Sequence, residues 1–320
     1  MRLTGHRAGV GLLQVSAAGV LWGTGGLVVT VLHERTGLGA MTASAWRMAV
    51  AAFALAGFAA LTRRSGRLVA TARAHPVAVI VVGCGTAAYQ GLYFVSVLLV
   101  GVSVATVVAL GLAPVLAAAW EHALARTRPT ARQGGVLAAA LAGLVLVSTA
   151  VDDPGRASGD RPGLGLALAV AAGATYAATT VLGHRLAQRV DPVPLTTCAT
   201  AAGAVALSPF LVGALLASEP VLTAEPVSLA LLVYLGVATM ALAYGLLYAG
   251  LRTTSGAAAT VATLVEPLSA ALLAVLLLGE ELAPAALLGG TLILGAVVAL
   301  RPTEDRFPPP MAIVVGEEEP

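Results

Sequence analysis

Residues 256–279, GAAATVATLVEPLSAALLAVLLLG, form an apolar stretch of 24 residues in which Glu266 is the one charged side chain. A helix of roughly 20 apolar residues crosses a bilayer core of about 30 Å. This stretch therefore predicts a transmembrane helix that carries a carboxyl group and a proline, Pro267, near mid-depth. Similar stretches recur along the chain and make ten predicted spans, at residues 9–32, 42–62, 76–98, 102–124, 132–150, 163–186, 193–217, 227–250, 256–279 and 284–300.

The composition favours an all-α integral membrane protein. Of the 320 residues, 58% are hydrophobic and 11% are charged, with a mean hydropathy of +0.91. Soluble domains carry about 25% charged residues. The net charge of +2, with arginines spaced between apolar runs, argues against nucleic acid binding. Cys84 and Cys198 each lie within an apolar run, so we expect no disulfide, no metal site and no cofactor.

The distribution of basic residues predicts the orientation. The chain contains no Lys, and its 18 basic residues are all Arg. With a cytoplasmic N-terminus, 14 of them fall in inside segments, three fall outside (Arg35, Arg156 and Arg161), and Arg47 lies within a span. The positive-inside rule thus predicts that both termini are cytoplasmic, and we expect the protein in a bacterial inner membrane. Residues 301–320 are Pro-rich and acidic, and we expect a disordered cytoplasmic tail.

The two halves, 9–150 and 163–300, resemble each other. A shift of 153 residues lays Pro114 on Pro267 together with several alanines, and Trp22 falls opposite Tyr176 in a second local match. Each half has five predicted helices, an odd number, so the second repeat must be inverted relative to the first. The two prolines predict helix kinks, which either mark a site near the midplane or only set the shape of the helices.

The chain resembles the drug/metabolite transporter superfamily, specifically its EamA-type ten-helix transporters. The resemblance rests on Leu21-Trp22-Gly23-Thr24, Ala45-Trp46-Arg47-Met48, and Leu264-Val265-Glu266-Pro267-Leu268-Ser269, which continues into Leu276-Leu277-Leu278-Gly279-Glu280-Glu281-Leu282. The first half departs from this ending, since Thr127 stands where Glu280 would be matched and Glu121 occurs earlier. The resemblance implies export of metabolites such as amino acids.

A charge within a span costs on the order of 3 kcal/mol on insertion scales and is by default a functional candidate. Glu266 must hydrogen-bond, be protonated or face a wet cavity, so it is either a structural carboxyl or a substrate or proton site. Arg47 either snorkels or forms a structural ion pair, or it holds a substrate carboxylate or forms an outer gate with Glu280 or Glu281. Glu121, beside His122, forms interface salt bridges with Arg126 and Arg128 or belongs to a proton relay.

The uncharged candidates are aromatic or amide side chains. Trp22 lies among glycines that permit close approach of another helix or a ligand. Tyr89 and Tyr93, with Gln90 between them, share one helix face, as do Tyr244 and Tyr248. These tyrosines, and Tyr176 opposite Trp22, line a cavity or form an interfacial aromatic belt.

These features together predict a carrier. No HExxH motif, paired carboxylates or nucleophile elbow occurs, so we expect no enzyme. We expect an inner-membrane exporter of small metabolites that works by alternating access, as a monomer or homodimer in the lipid bilayer, with protons as a candidate coupling ion. The alternatives are a channel-like or facilitative pore, or a membrane protein without a transport role.

Overall fold

The computed structural model describes residues 2–150, 161–278 and 284–300, which form helices and short links. The predicted tail 301–320, and the expected gate residues Glu280 and Glu281, lie outside the described residues. The first half contains six helices, α1 (Arg2–Thr36), α2 (Ala40–Leu61), α3 (Ser65–Ala74), α4 (Pro76–Val100), α5 (Val102–Ala125) and α6 (Ala131–Ala150). The second half contains α7 (Pro162–Ala187), α8 (Pro192–Leu216), α9 (Pro226–Gly236), a π-helix (Val237–Leu242), α10 (Ala243–Gly250), α11 (Gly256–Ala262), α12 (Val265–Leu278) and α13 (Pro284–Ala299).

The helices are those of a membrane protein. Within the described ranges, nine segments are long and apolar enough to cross a bilayer, and α13 is a shorter apolar helix of 16 residues. Helices α9 and α10 and the π-helix between them make one such segment, Pro226–Gly250. The all-α membrane class is therefore confirmed, with nine or ten apolar spans in two halves.

Three local features differ from the simple succession of spans. A short helix, α3, lies between the second and third spans, and a π-helix interrupts the eighth. The ninth span breaks between α11 and α12, at Thr263 and Leu264. Pro267 consequently lies in the first turn of α12, where a missing N–H costs little, whereas Pro114 lies inside the continuous helix α5. The ninth span is thus interrupted beside Pro267, and the matching kink at Pro114 stays a prediction.

The two halves interlock through helix pairs. Helix α2 packs along α8 and α6 along α13, while α7 contacts α4 and α5, and α1 contacts α10 and α12. Small residues permit this approach. A Cβ atom on Gly83 of α4 would lie 2.3 Å from the carbonyl oxygen of Ala199 on α8, and one on Gly236 of α9 would lie 3.2 Å from that of Arg47 on α2.

Ion pairs join the halves at both ends of the bundle. At one end, called here the Glu225 end, Arg35 in the last turn of α1 pairs with Glu225 before α9. Arg35 and the hydroxyl of Ser228 lower the pKa of this exposed carboxyl from 4.5 to about 2, so the pairing is lost only as the pH falls below the ordinary range of Glu. At the other end, the Asp191 end, Asp191 contacts Arg67 at 3.1 Å and Arg252 at 3.3 Å.

Candidate functional site

A cavity of about 470 Å³ lies between the two halves. Helices α1, α2 and α4 of the first half contribute to its wall, and so do α7, the π-helix, α10 and α12 of the second. Arg47 and Glu266 are the charged side chains among the described residues that line it. Eight residues singled out from the sequence meet here, namely Trp22, Arg47, Tyr89, Gln90, Tyr93, Tyr176, Tyr244 and Glu266.

Arg47 is held by the opposite half of the protein. Its Nη2 donates a hydrogen bond to the hydroxyl oxygen of Thr239, at 3.1 Å, and its Nε is buried without a hydrogen-bond partner. No carboxylate of the described residues lies within 4.0 Å of the guanidinium. Among the described residues, Arg47 therefore has no ion-pair partner, while Glu280 and Glu281 lie outside them. Arg47 thus lines the cavity with an N–H group that has no acceptor, and such a guanidinium is suited to bind a planar anion such as a carboxylate.

Glu266 lies in the first turn of α12, just after the break in the ninth span. Glycines of α1 pack against its backbone, since a Cβ on Gly23 would lie 2.6 Å from the carbonyl oxygen of Glu266. The half-buried carboxyl group makes no hydrogen bond and no ion pair with the described part of the chain. Of the alternatives left open by the sequence, a carboxyl that faces a cavity fits this arrangement, and one tied into the backbone does not.

Thr239 is a site residue that the sequence analysis missed. It is fully buried in the π-helix, where the backbone hydrogen bonds are displaced by one residue. Its carbonyl oxygen accepts a hydrogen bond from Nε1 of Trp22 at 2.9 Å, and its hydroxyl group contacts Arg47. Thr239 thus orients both the aromatic and the cationic side chain of the first half. No sequence pattern used above signals a π-helix.

Tyrosines form the floor of the cavity towards the Asp191 end. The rings of Tyr89 and Tyr176 stack with centroids 5.0 Å apart, and Tyr244 lies 5.0 Å from Trp22. The hydroxyl group of Tyr176 hydrogen-bonds Thr263 at 3.0 Å. Below the three tyrosines is a smaller cavity of about 10 Å³, which Thr86, Thr179, Thr180 and Tyr248 also line. The three tyrosines therefore lie between the two cavities and line both of them.

Burial decides between the two interpretations of the tyrosines. Tyr176, Tyr244 and Tyr248 are 6%, 9% and 2% exposed, so they lie inside the bundle. Side chains of an interfacial belt would instead contact lipid headgroups. The belt is therefore excluded for these three residues. Tyr248 lines only the smaller cavity, and its partner Tyr244 lines both.

Gln90 adds a second polar group without a full set of partners. It is 7% exposed, and its Oε1 is buried without a hydrogen-bond partner. Its Nε2 makes only long contacts, of 3.5 Å to the carbonyl oxygen of Thr86 and 3.8 Å to the sulfur of Met48. A buried acceptor without a donor costs free energy, so a ligand N–H at this position would gain a hydrogen bond.

Glu121 lies away from the cavity and has a structural contact. Its Oε1 accepts hydrogen bonds from the backbone N–H groups of Gly256, at 2.6 Å, and Ala257, at 3.2 Å. Glu121 therefore caps the N-terminus of α11, where a negative charge is favourable. The expected salt bridges with Arg126 and Arg128 are absent from the described residues, and His122 instead contacts Thr127 at 2.9 Å.

Metal ligands do not cluster in the part of the chain that the structure describes, since no three His, Cys, Asp or Glu side chains come together there. The polar groups of the cavity instead comprise one guanidinium, one carboxyl, one amide and several hydroxyl groups. This set suits a small organic molecule with charged ends and an apolar body.

Comparison with known proteins agrees with this architecture. A solved crystal structure superposes with a TM-score of 0.73 at 22% identity, covering 90% of this chain and 95% of its own, and so shares the fold. A relative from Bacillus subtilis (strain 168), "Uncharacterized transporter YwfM", is 33% identical over 213 residues, which are 66% of this chain and 69% of the relative. The sequence model of the EamA-like transporter family matches twice, at residues 9–149 and 163–301. The resemblance seen in the sequence is thereby confirmed: the chain belongs to the EamA-like transporter family, a family of membrane transporters and not of enzymes.

Proposed function

We propose that the protein is an inner-membrane carrier that exports small zwitterionic metabolites such as amino acids by alternating access. The observation that carries the proposal is that Arg47 and Glu266, from opposite halves, line one cavity of about 470 Å³ between those halves. Arg47 binds the substrate carboxylate, and Glu266 receives its ammonium group or a proton. Trp22, Tyr89 and Tyr244 cover the apolar part of the substrate.

The proposed architecture is ten spans in two inverted repeats. It is supported by matching contacts between the halves. Helix α4 packs on α7, and its counterpart α10 packs on α1. In the same way α5 packs on α7, and its counterpart α12 packs on α1. Gly83 and Gly236, 153 residues apart, make matching close approaches to α8 and α2. Such repeats exchange positions when a carrier rocks about a central site.

The proposed orientation places the Asp191 end in the cytoplasm. The cavity extends from the tyrosines towards Thr30 and Val97, in the halves of α1 and α4 nearer the Glu225 end. The structure would then correspond to an outward-facing state, with Tyr89, Tyr176 and Tyr244 as the inner barrier. Reporter fusions at Arg67 and Arg128 should behave as cytoplasmic and one at Asp153 as periplasmic. An inside signal at Asp153 would overturn this orientation.

The barrier of tyrosines is more typical of a carrier than of a channel-like pore. A channel conducts through a continuous path, whereas the stacked rings of Tyr89 and Tyr176 and the hydrogen bond from Tyr176 to Thr263 interrupt the path. A role outside transport is excluded by membership of a transporter family.

Metabolite profiling tests the function. Culture media of cells that express the wild-type protein are compared with media of cells that express Arg47→Met at equal membrane abundance. We expect a small set of zwitterionic metabolites to accumulate outside only with the wild type. Proteoliposomes are then tested for flux of the leading compound. Identical profiles for wild type, variant and empty cells would contradict the proposal.

A further inference from the structure

A second cavity, of about 230 Å³, lies at the Asp191 end, remote from the transport site. It is placed where α2 ends, α3 begins and α8 begins, so it lies at the level where two spans leave the bilayer core. Arg64 and Arg67 line it from the α3 side, and Asp191 and Pro192 line it from the α8 side. The transport mechanism proposed above uses none of these residues.

The charges around this cavity do not balance. Asp191 is shared between Arg67, at 3.1 Å, and Arg252, at 3.3 Å. Arg64 makes no ion pair and no side-chain hydrogen bond with the residues that the structure describes. Arg64 and Arg67 thus line the cavity with a single carboxylate, whose charge Arg67 shares with Arg252, and this leaves an excess of positive charge. Arginine binds phosphate through two parallel hydrogen bonds, so the excess suits a phosphate group.

Apolar surface adjoins the charged cavity. Ala59, Leu68 and Val193 form part of its wall. Leu61, at the end of α2, is 87% exposed, and Val69, beside Leu68 on α3, is 48% exposed. A soluble anion would leave these apolar side chains exposed, whereas the acyl chains of a bound lipid would cover them.

We propose that this cavity binds the headgroup of an anionic phospholipid, with its phosphate held by Arg64 and Arg67 and its acyl chains along the exposed side chains of α2 and α3. The bound lipid fixes α3 at the membrane surface and fills the junction between the first half and α8. The site is independent of the transported substrate.

Native mass spectrometry of the full chain in detergent tests this site. The probes are phosphatidylglycerol, phosphatidylcholine with the same acyl chains, and soluble glycerol 3-phosphate. The variants are Arg64→Gln and, as a matched control, Arg63→Gln, which removes the same charge from the neighbouring position that does not line the cavity. Elution volume and thermal midpoint show that both variants are folded.

We expect one phosphatidylglycerol to bind in preference to phosphatidylcholine. Arg64→Gln should weaken this binding about fivefold, the effect of one arginine near an anionic lipid, while Arg63→Gln stays near the wild type. Equal loss in both variants would indicate general charge attraction and overturn the site. Equal binding of phosphatidylcholine, or full competition by glycerol 3-phosphate, would overturn its assignment to an anionic lipid.

Discussion

Arg47 of the first half, which lines the central cavity, is joined to Thr239 of the second, buried behind it, by a hydrogen bond of 3.1 Å from Nη2 to Oγ1. The same threonine accepts a hydrogen bond from Trp22 through its backbone carbonyl group. A movement of one half against the other must therefore break or remake the contacts that orient both side chains. In the proposed function these two side chains bind the substrate, so their contacts would link substrate binding to the position of the halves, as a carrier requires.

Substitution of Arg47 tests whether its charge or its packing matters. Arg47→Lys keeps a cation and should retain substantial flux, although it loses the planar fork of donors. Arg47→Met keeps much of the volume without charge and should lose most flux, by about tenfold or more, the scale of one charged hydrogen bond. Flux is measured in proteoliposomes with equal amounts of folded protein. Equal flux in both variants would reduce Arg47 to a structural residue.

Substitution of Thr239 tests its role in positioning Arg47. Thr239→Val keeps the shape but removes the hydroxyl group, and we expect KM to rise about tenfold with a smaller change in kcat. Thr239→Ser restores the hydroxyl group and should restore KM. Thr260→Val is a matched control, because Thr260 is also fully buried but bonds only the carbonyl group of Ala257. A similar rise in KM for Thr260→Val would indicate a general packing effect.

Glu266→Gln tests proton coupling, because Gln has nearly the shape of a protonated carboxyl group and cannot ionise. If Glu266 carries the coupled proton, the variant should exchange substrate between the two sides at a near-normal rate while its net flux no longer depends on pH. The measurement is net flux and exchange in proteoliposomes between about pH 5.5 and 8.5, a range centred near neutrality, where functional ionisable groups are often poised.

Glu121→Gln is the control for Glu266, since it neutralises the carboxyl group that caps α11 outside the cavity. Its net flux should keep the pH dependence of the wild type. If Glu266→Gln also keeps that dependence, Glu266 does not couple protons, and its role is limited to substrate or structure.

Glu121 itself should contribute to stability. Glu121→Ala leaves two N–H groups of α11 without an acceptor, and we expect a loss of about 1–2 kcal/mol, as for other helix caps. Glu121→Gln keeps a carbonyl acceptor and should lose less. Glu219→Ala, in an exposed link, should change nothing. The measurement is the free energy of unfolding of each variant in detergent. An unchanged value for Glu121→Ala would contradict the capping role.

Most of the fold could be predicted from the sequence, because an apolar stretch of about 20 residues is strong evidence for a transmembrane helix. The spans and the two halves could be predicted in this way, and Arg47, Glu266 and the tyrosines could be named as separate candidates, but their meeting in one cavity could not. Nor could the details of the individual contacts. Glu121 has two arginines near it in sequence, yet its partners are N–H groups 135 and 136 residues away.

The π-helix was the other feature that the sequence did not predict. It surrounds Thr239, which contacts a neighbouring helix, and a side chain inserted into the backbone hydrogen bonds of a helix can distort it. Trp22 donates a hydrogen bond to the backbone carbonyl group of Thr239. Such a contact joins residues 217 positions apart, so the local sequence contains no sign of it.

The central claim is that one site between the halves is reached alternately from the two sides, and counterflow tests it most directly. Proteoliposomes preloaded with the unlabelled leading metabolite are diluted into a trace of labelled compound. We predict a transient accumulation of label above equilibrium for the wild type and for Glu266→Gln, and little or none for Arg47→Met. Uptake that rises only to equilibrium, with or without preloading, would contradict alternating access, and an undiminished overshoot in Arg47→Met would place the site elsewhere.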